Sequence, residues 1–274
     1  MLSVKVMKIS IIIPTYKPQS YLWECLDSIV QQTFPKECFE VILVLNGCTE
    51  PYKSEIEKYI AEKMQGMNVN FIHIEVGGVS NARNVALDAA VGEYITFLDD
   101  DDYISECTLS ELYEVANKGF MPICNTTAFW DETKEELKKY IIKSEFEKCS
   151  QKDYVTIVEA RRFFAGPVRK LIHRDIIGNR RFDKRFKNGE DSLFMFLISD
   201  RIRLVSCTSR QSVYYRRLRN SSANMHQRGF WERLKNSISM IIEYTRIYFP
   251  DRKNYNLKLY CYNILGAVKT AFLG

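Results

Sequence analysis

The stretch Gly92-Glu93-Tyr94-Ile95-Thr96-Phe97-Leu98-Asp99-Asp100-Asp101-Asp102 joins an apolar run to four consecutive aspartates. The β-branched and aromatic residues from Tyr94 to Leu98 predict a buried strand. Four adjacent carboxylates repel one another, which gains the fold nothing unless a cation neutralises part of the charge. A solvated acidic loop is the alternative, but α/β sheets bind ligands at the carboxyl ends of their strands. The pattern therefore predicts a divalent-metal site that holds an anionic, phosphorylated substrate.

Strand and helix patterns alternate through the first hundred residues. Strands are predicted at 9–13, 41–45, 69–74 and 94–98, and helices at 21–32, 54–63 and 79–90. This order predicts an α/β fold with a doubly wound, mostly parallel sheet, whose loops gather at the carboxyl ends of the strands. Neither a Walker loop nor a G-x-G-x-x-G motif is present, which excludes an ordinary ATP or dinucleotide site.

Polar residues occupy the loops predicted at that edge of the sheet. Pro14, Thr15 and Tyr16 follow the first strand, and Asn46 follows the second. Arg83 lies near the start of the third helix, where free backbone N–H groups and a guanidinium can together face a phosphate or a base. A surface arginine that only caps the helix is the alternative interpretation.

The composition predicts a soluble protein with a sizeable core. The chain has 274 residues, 46% of them hydrophobic, and no apolar run approaches the roughly 18 residues of a membrane span. Its first residues lack the long apolar region and cleavage site of a signal peptide. Eight cysteines without a C-x-x-C pair and three scattered histidines predict reduced thiols, a cytoplasmic location and no zinc site.

The net charge of +5 hides an asymmetry between the two parts of the chain. Residues 161–274 contain 24 Lys and Arg against 8 Asp and Glu, whereas residues 1–160 contain 15 against 26. This predicts an acidic, metal-binding half and a basic half that meets phosphates, nucleic acid or an anionic membrane. We expect no nucleic-acid partner, because no helix-turn-helix, RNA-binding sheet or zinc-finger signature accompanies the charge.

Several motifs, in order along the chain, resemble those of the family 2 glycosyltransferases. They are Ile9–Tyr16, Leu26–Ile29 with Gln32-Thr33, Gly78–Asn84, Gly92–Asp102, Arg169–Leu171, Gly189–Asp191 and the basic segment Val213–Arg219. The resemblance reaches about residue 225. It implies a GT-A fold with a nucleotide-sugar-binding half at 1–105, a smaller acceptor-side and catalytic half at 106–225, and a helical extension at 226–274.

The resemblance also implies roles for the matching residues. Asp101 and Asp99 would bind Mg²⁺ or Mn²⁺, which would bridge the donor diphosphate and stabilise the leaving nucleoside diphosphate. The implied donor-binding residues are Pro14, Thr15, Tyr16, Asn46, Arg83, Asp99, Asp100, Lys170, Arg217 and Arg219.

Inverting transfer needs a base for the acceptor hydroxyl, and Asp191 is the implied one, with Glu190 as its neighbour. Helix capping is the alternative interpretation of Asp191. One departure affects the donor. Where the family usually has an Asp-Asp-Gly-Ser-type motif, this chain has Leu45 and Asn46 before Gly47. UDP-sugar is the first choice of donor only because it is the commonest in the family.

The segment 130–151 is charged and predicted to be helical, and two helices are predicted at Phe230–Phe249 and Leu257–Phe272. These last helices suit a cap, a homodimer surface or peripheral contact with an anionic membrane.

The resemblance implies a glycosyltransferase of bacterial surface-polysaccharide assembly, acting on a saccharide or lipid-linked saccharide. A nucleotidyltransferase for sugar phosphates and a catalytically silent nucleotide-sugar-binding protein are the alternatives.

Overall fold

The computed structural model describes residues 7–219 and 229–273. Its first hundred residues form the alternating elements that the sequence predicts. The strands are β1 (Ile9–Thr15), β2 (Phe39–Asn46), β3 (Asn68–Ile74) and β4 (Tyr94–Phe97), and the helices are α1 (Tyr21–Val30), α2 (Tyr52–Lys63) and α3 (Val79–Ala89). Every residue of β1, β2 and β4 is buried, as their unbroken apolar runs require.

These strands form a five-stranded sheet in the order β3-β2-β1-β4-β8, where β8 is Ile172–His173. The first four are parallel and β8 is antiparallel to β4, so the predicted mostly parallel α/β sheet is confirmed. Thr15 pairs with Leu45, and Ile12 with Phe97. The strand ends, and the loops that follow them, therefore lie along one edge of the sheet.

Strand β1 continues through Pro14, although a proline in a strand usually marks its end. The N–H of Leu98 donates to the carbonyl of Ile12, so alternate residues of β1, including Pro14, face β4. Pairing with β4 ends at Ile12 and Phe97. The missing proline N–H therefore points to where β4 has already ended, and no sheet hydrogen bond is lost.

Shorter elements make up the second half. They are β5 (Tyr103–Ile104), α4 (Thr108–Glu114), β6 (Phe120–Ile123), β7 (Asn125–Trp130), α5 (Ile141–Cys149), α6 (Arg174–Ile177), α7 (Glu190–Leu197), β9 (Leu204–Cys207) and β10 (Val213–Leu218). Short 3-10 helices lie at Lys36–Cys38, Arg161–Ala165 and Ser199–Arg201. A second sheet has the order β5-β10-β7, and β6 pairs with β9. Tyr215 of β10 pairs with Tyr103, which sets β10 beside the four aspartates.

The prediction of one helix over 130–151 is wrong for its first part. The chain turns back on β7 instead: the N–H of Trp130 donates to the carbonyl of Glu135, and that of Leu137 to Ala128. Lys134 adopts a positive φ of 59° in this turn. Only α5 is helical, so the charged residues between belong to a hairpin rather than to a helix surface.

Two long helices, α8 (Phe230–Tyr248) and α9 (Leu257–Leu273), pack against each other and against α7. Their bounds agree with the predicted ones to within one residue. None of the helices in the described ranges is long and apolar enough to cross a bilayer. The predicted boundary between 225 and 226 lies outside the described residues.

Candidate active site

A cavity of about 1010 Å³ opens at the carboxyl ends of β1, β2 and β4. The starts of α3 and α7 and the end of β10 complete its wall. It brings together residues from five of the motifs that resemble the family, and Asn46 from the loop after β2. The predicted site residues that line it are Pro14, Thr15, Tyr16, Asn46, Arg83, Asp99, Asp100, Asp101, Glu190, Asp191, Arg217 and Arg219.

Arg83 lies at the centre of this arrangement, buried under the cavity floor. Its guanidinium donates to Asp191 Oδ1 at 2.6 Å and to Asp99 Oδ1 at 3.0 Å, and it lies 5.4 Å from the ring centre of Phe182. Burial alone would lower the pKa of Arg83, but the charges of Asp191 and Asp99 raise it. One protonated side chain therefore connects the end of β4 to the start of α7.

Asp191 lies in the first turn of α7, but it is not the residue that caps the helix. Gly189 occupies the N-cap position with a φ of +82° and makes no side-chain cap. The Asp191 carboxylate instead faces Arg83, and its burial raises the pKa of Asp191 while the charge of Arg83 opposes that rise. Glu190 is buried beside it and also lines the cavity. The structure thus leaves Asp191 directed at the cavity.

The four consecutive aspartates have different partners. Thr15 Oγ1 donates to Asp100 Oδ2 at 2.5 Å, and Arg219 Nη2 donates to Asp101 Oδ2 at 2.6 Å. Burial raises the pKa of Asp100 to about 7, and burial together with the charge of Asp99 raises that of Asp101. Burial is the largest cause of both pKa rises, and the charges of the neighbouring aspartates add to it; a cation at these carboxylates would oppose that repulsion.

Asp102, which the sequence analysis did not single out, is buried among backbone and aromatic groups. It accepts from the Tyr214 hydroxyl at 2.6 Å and from the backbone N–H of Arg217 at 2.7 Å. Burial, followed by the charges of Asp101 and Asp99, raises its pKa well above the usual range. Asp102 therefore fixes β10 to the end of β4. Side chains alternate between the two faces of β10, and Tyr214 lies on the inward face. This alternation is the sequence signal that could have indicated Tyr214.

Arg217, which the resemblance implies to be a donor-binding residue, lies within β10 and is almost completely buried. Its guanidinium donates to Glu24 at 2.7 Å, to Asp131 at 2.6 Å and to the carbonyl of Asp101 at 2.7 Å. All of its nitrogens thus have protein partners. Arg217 therefore acts as a brace that links α1, the turn after β7 and the loop of four aspartates.

Asn46 stands where the family usually has an acid, and both polar atoms of its amide bind backbone groups. Its nitrogen donates to the carbonyl of Thr15 at 2.7 Å, and its oxygen accepts from the N–H of Gly78 at 2.9 Å. Next to it, Gly47 (φ +67°) approaches Gly77 so closely that a Cβ on Gly47 would lie 2.8 Å from the Gly77 Cα. The amide therefore ties together the loops after β1 and β2 and the turn before α3.

Lys170 is the one predicted site residue outside the cavity wall. It is completely buried and donates to the carbonyls of Phe163 and Gly166. Burial, and then the charge of Arg169, lowers its pKa well below the usual range. Lys170 thus supports the segment that faces Asp191, since Gly166 lies beside the Asp191 carboxylate.

The cavity residues that the sequence analysis missed include Arg216, Trp130 and Lys187. Arg216 donates to the Tyr140 hydroxyl at 3.3 Å and makes no ion pair with a described carboxylate. Trp130, at the end of β7, and Lys187, just before α7, complete this side of the wall. Trp130 and Lys187 lie outside the matching motifs and follow no strand of the main sheet, so no sequence signal marked them. Arg216 lies inside the basic segment Val213–Arg219, so the resemblance marked its neighbourhood but not the residue itself.

Within 7–219 and 229–273, no three His, Cys, Asp or Glu residues form a group that could hold a metal ion. Asp99 and Asp101 are two carboxylates at one end of the cavity. Mg²⁺ is commonly held by one or two carboxylates together with substrate phosphates, so two acids and a diphosphate suit a metal that arrives with the donor.

The sequence model of Glycosyl transferase family 2 matches residues 10–180, more than half of the chain. The chain belongs to glycosyltransferase family 2. Its fold agrees: Staphylococcus aureus TarS in complex with UDP-GlcNAc matches with a TM-score of 0.74 at 22% identity, over 97% of this chain and 73% of that one. The mannosyltransferase PcManGT of Pyrobaculum calidifontis, in complex with GDP-Man and Mn²⁺, matches with a TM-score of 0.59 at 17% identity, over 96% of this chain and 73% of that one.

Two relatives show how far the family likeness extends. The chain is 28% identical over 232 residues to poly(ribitol-phosphate) beta-N-acetylglucosaminyltransferase TarS of Staphylococcus aureus (strain MW2), which is 82% of this chain and 39% of that protein. It is 30% identical over 215 residues to the poly(ribitol-phosphate) beta-glucosyltransferase of Bacillus spizizenii, which is 76% of this chain and 32% of that protein. The chain thus spans about a third of the length of these relatives.

Proposed function

We propose that this family 2 enzyme transfers a sugar, with inversion, from a nucleotide-sugar donor to a saccharide or lipid-linked saccharide, in surface-polysaccharide assembly. One observation carries the proposal: Arg83 binds both Asp99 on the donor side and Asp191 on the acceptor side. A donor phosphate group at the aspartates and an acceptor hydroxyl at Asp191 would therefore meet within one cavity. A catalytically silent protein would not need both acids so placed.

The chemistry assigned to Asp191 is general base catalysis. The acceptor oxygen attacks the anomeric carbon, the bond from that carbon to the diphosphate oxygen breaks, and the hydroxyl proton moves to the Asp191 carboxylate. Because burial raises the pKa of Asp191, its carboxylate is a better proton acceptor than an exposed aspartate. Arg83 keeps it ionised and oriented until the acceptor arrives.

Asp99 and Asp101 would hold the proposed Mg²⁺ or Mn²⁺. A cation there would neutralise negative charge on the leaving diphosphate. The mutual repulsion of the aspartates supports this assignment, since the charges of Asp101 and Asp99 contribute, after burial, to the raised pKa of Asp100. Arg219, which pairs with Asp101 and stacks 4.3 Å over the ring of Tyr21, lies where it can contact the same diphosphate.

The donor base is proposed to lie against Tyr16, whose ring is half exposed at the cavity edge. Aromatic stacking there is open to any nucleobase, and no acid stands at Leu45 or Asn46 to select one. UDP-sugar is our first candidate because the similar TarS structure contains UDP-GlcNAc. A cytoplasmic location is part of the same proposal, since nucleotide sugars are its donors.

The first experiment incubates the protein with UDP-, GDP- and CDP-sugars and measures release of the nucleoside diphosphate with and without saccharide acceptors. Acceptor-dependent release is expected with one donor class. Transfer of a nucleotide rather than a sugar, or no turnover with any donor, would contradict the proposal.

The metal assignment is tested by calorimetry of nucleoside diphosphate binding with Mn²⁺, Mg²⁺ or EDTA. We expect Asp101→Ala to abolish the metal-dependent part of the affinity, because the phosphate charge then lacks its counter-ion. Asp88→Asn, an exposed acid on α3 paired with Arg181, is the matched control and should bind as the wild type does. Unchanged metal-dependent affinity in Asp101→Ala would overturn the assignment.

A further inference from the structure

Helices α8 and α9 each bury one face and leave an apolar face uncovered. Their inward residues are Met240, Tyr244, Tyr248, Leu259 and Ala271. On the outside, by contrast, Trp231 is 77% exposed, Leu265 63% and Phe272 61%. So large an exposed apolar surface on adjoining helices requires an explanation, because such patches commonly mark interaction sites.

The exposed residues follow helical spacing, so they form one stripe along each helix. On α8 the stripe is Trp231, Ile238, Ile242 and, at the end of the helix, Phe249. On α9 it is Leu257, Cys261, Leu265, Val268 and Phe272. Residues three or four apart share one face of a helix. The ring of Phe272 lies 6.1 Å from that of Phe230, which lies 5.3 Å from that of Trp231, so the two stripes adjoin at one end.

Basic residues surround these stripes. Residues 229–273 contain seven Lys and Arg against three Asp and Glu. Of the three acids, Glu243 is already paired with Arg246 and Arg185. Lys258 and Lys269 lie on one flank of the α9 stripe, and both are exposed. The surface therefore combines exposed apolar residues with basic residues, which flank the α9 stripe and lie between the apolar residues of the α8 stripe.

We propose that this outer face of α8 and α9 binds an anionic membrane surface. Interfacial helices combine Trp, Phe and Leu on one side with Lys and Arg beside them, and they lie in the plane of the bilayer without crossing it. A second copy of the chain fits less well, because the exposed Lys235 falls within the α8 stripe. Lysine is depleted in the core of a protein interface, whereas at a bilayer it extends to the headgroups.

Contacts connect α8 to α7, the helix that carries the proposed general base Asp191. Ser192, next to Asp191 on α7, shares a 2.9 Å hydrogen bond with Tyr244 of α8, and Asn236 of α8 donates to the carbonyl of Asn188 at 3.4 Å. Membrane binding would thus hold α7, which carries the proposed general base Asp191, one helix layer from the lipid. This consequence, that a lipid-linked acceptor is within reach, rests on the proposed function, whereas binding itself does not.

The test is flotation of the full chain with vesicles of phosphatidylcholine alone or mixed with phosphatidylglycerol, without any donor or acceptor. We expect binding to the mixed vesicles only, and weaker binding at high salt. Leu265→Glu should weaken binding at least tenfold, because it sets a carboxylate against the lipid. Val91→Glu, at an equally exposed apolar position after α3, is the control and should bind as the wild type does. Lys258→Gln with Lys269→Gln should cost about fivefold per charge removed.

A second readout does not depend on binding strength. Trp231 fluorescence should shift to shorter wavelength on the mixed vesicles, and Trp231→Phe should remove the shift, since Trp23 and Trp130 lie elsewhere. Equal binding by the wild type and a well-folded Leu265→Glu variant would overturn the proposal. So would a dimer in sedimentation velocity that Leu265→Glu dissociates, found without any vesicle binding, because that result would assign the face to a second copy.

Discussion

Two buried arginines, Arg83 and Arg217, each hold a pair of carboxylates near the same four aspartates. The side chain of Arg83 is 4% exposed and that of Arg217 is 1% exposed. Arg83 joins Asp99 and Asp191, which both face the cavity. Arg217 joins Glu24 of α1 and Asp131 of the turn after β7, neither of which is among the described residues that line the cavity. Both arginines are therefore buried and paired with two carboxylates. What distinguishes them is the partners: Arg83 positions side chains assigned to the reaction, whereas Arg217 supports the scaffold.

The largest expected effect is a difference in turnover between a variant of Asp191, which Arg83 binds, and a variant of Asp131, which Arg217 binds. Asp191→Asn should lower turnover by about 10²–10⁴-fold, the usual contribution of a positioned general base, with little change in the melting temperature or in donor affinity. The measurement is turnover at saturating donor and acceptor, alongside a thermal melt.

The matched variant is Asp131→Asn, which removes one carboxylate from Arg217 instead. It should cost less than about tenfold in turnover, because no proton transfer is assigned to it. Glu190→Gln should cost less than Asp191→Asn if Glu190 only supports the site. Normal turnover by a well-folded Asp191→Asn variant would contradict our assignment of the base.

The next effect concerns stability. Arg217→Met should lower the free energy of unfolding by about 2–3 kcal/mol, somewhat below the cost of breaking a fully buried pair, because Glu24 and Asp131 still reach solvent. Denaturant unfolding measures it, with the exposed Arg210→Met as control. If Arg217→Met unfolded as the wild type does but lost donor binding, Arg217 would be a donor ligand, as the sequence motif implies, rather than a brace.

The smallest effect is expected at Asn46. Asn46→Asp should lower the free energy of unfolding by about 1–2 kcal/mol, because a carboxylate cannot donate to the carbonyl of Thr15. Asn70→Asp, on the exposed face of β3, is the control. A variant of normal stability that changed the preference among UDP, GDP and CDP would instead make Asn46 the base contact that the sequence suggested.

The main sheet was predictable from sequence because each of its strands is a local apolar run. The cavity residues were predictable where they sit in short motifs that end a strand or start a helix, as Asp101, Arg83 and Asp191 do. The pairings were not predictable. Arg217 and Glu24 are 193 residues apart, and Tyr214 and Asp102 are 112 apart, so only the packing of β10 brings them together.

The turn after β7 was missed for a different reason. Its charged residues have good helix propensity, but hydrogen bonds back to β7 outweigh that weak local preference. Asn46 shows a related limit. The sequence marked it as unusual, yet an amide that could meet a nucleobase is used by Thr15 and Gly78.

Gly189 carries a consequence for how such a chain can change in evolution. A Cβ at this residue would come within 2.9 Å of Met240 on α8. The motifs that resemble the family end at about residue 225, just before α8, but the turn that presents Asp191 packs against that helix. A recombination event that exchanged α8 and α9 would therefore have to supply new side chains against which that turn can pack. The segment that resembles the family and the segment that must be inherited together therefore end at different places in this protein.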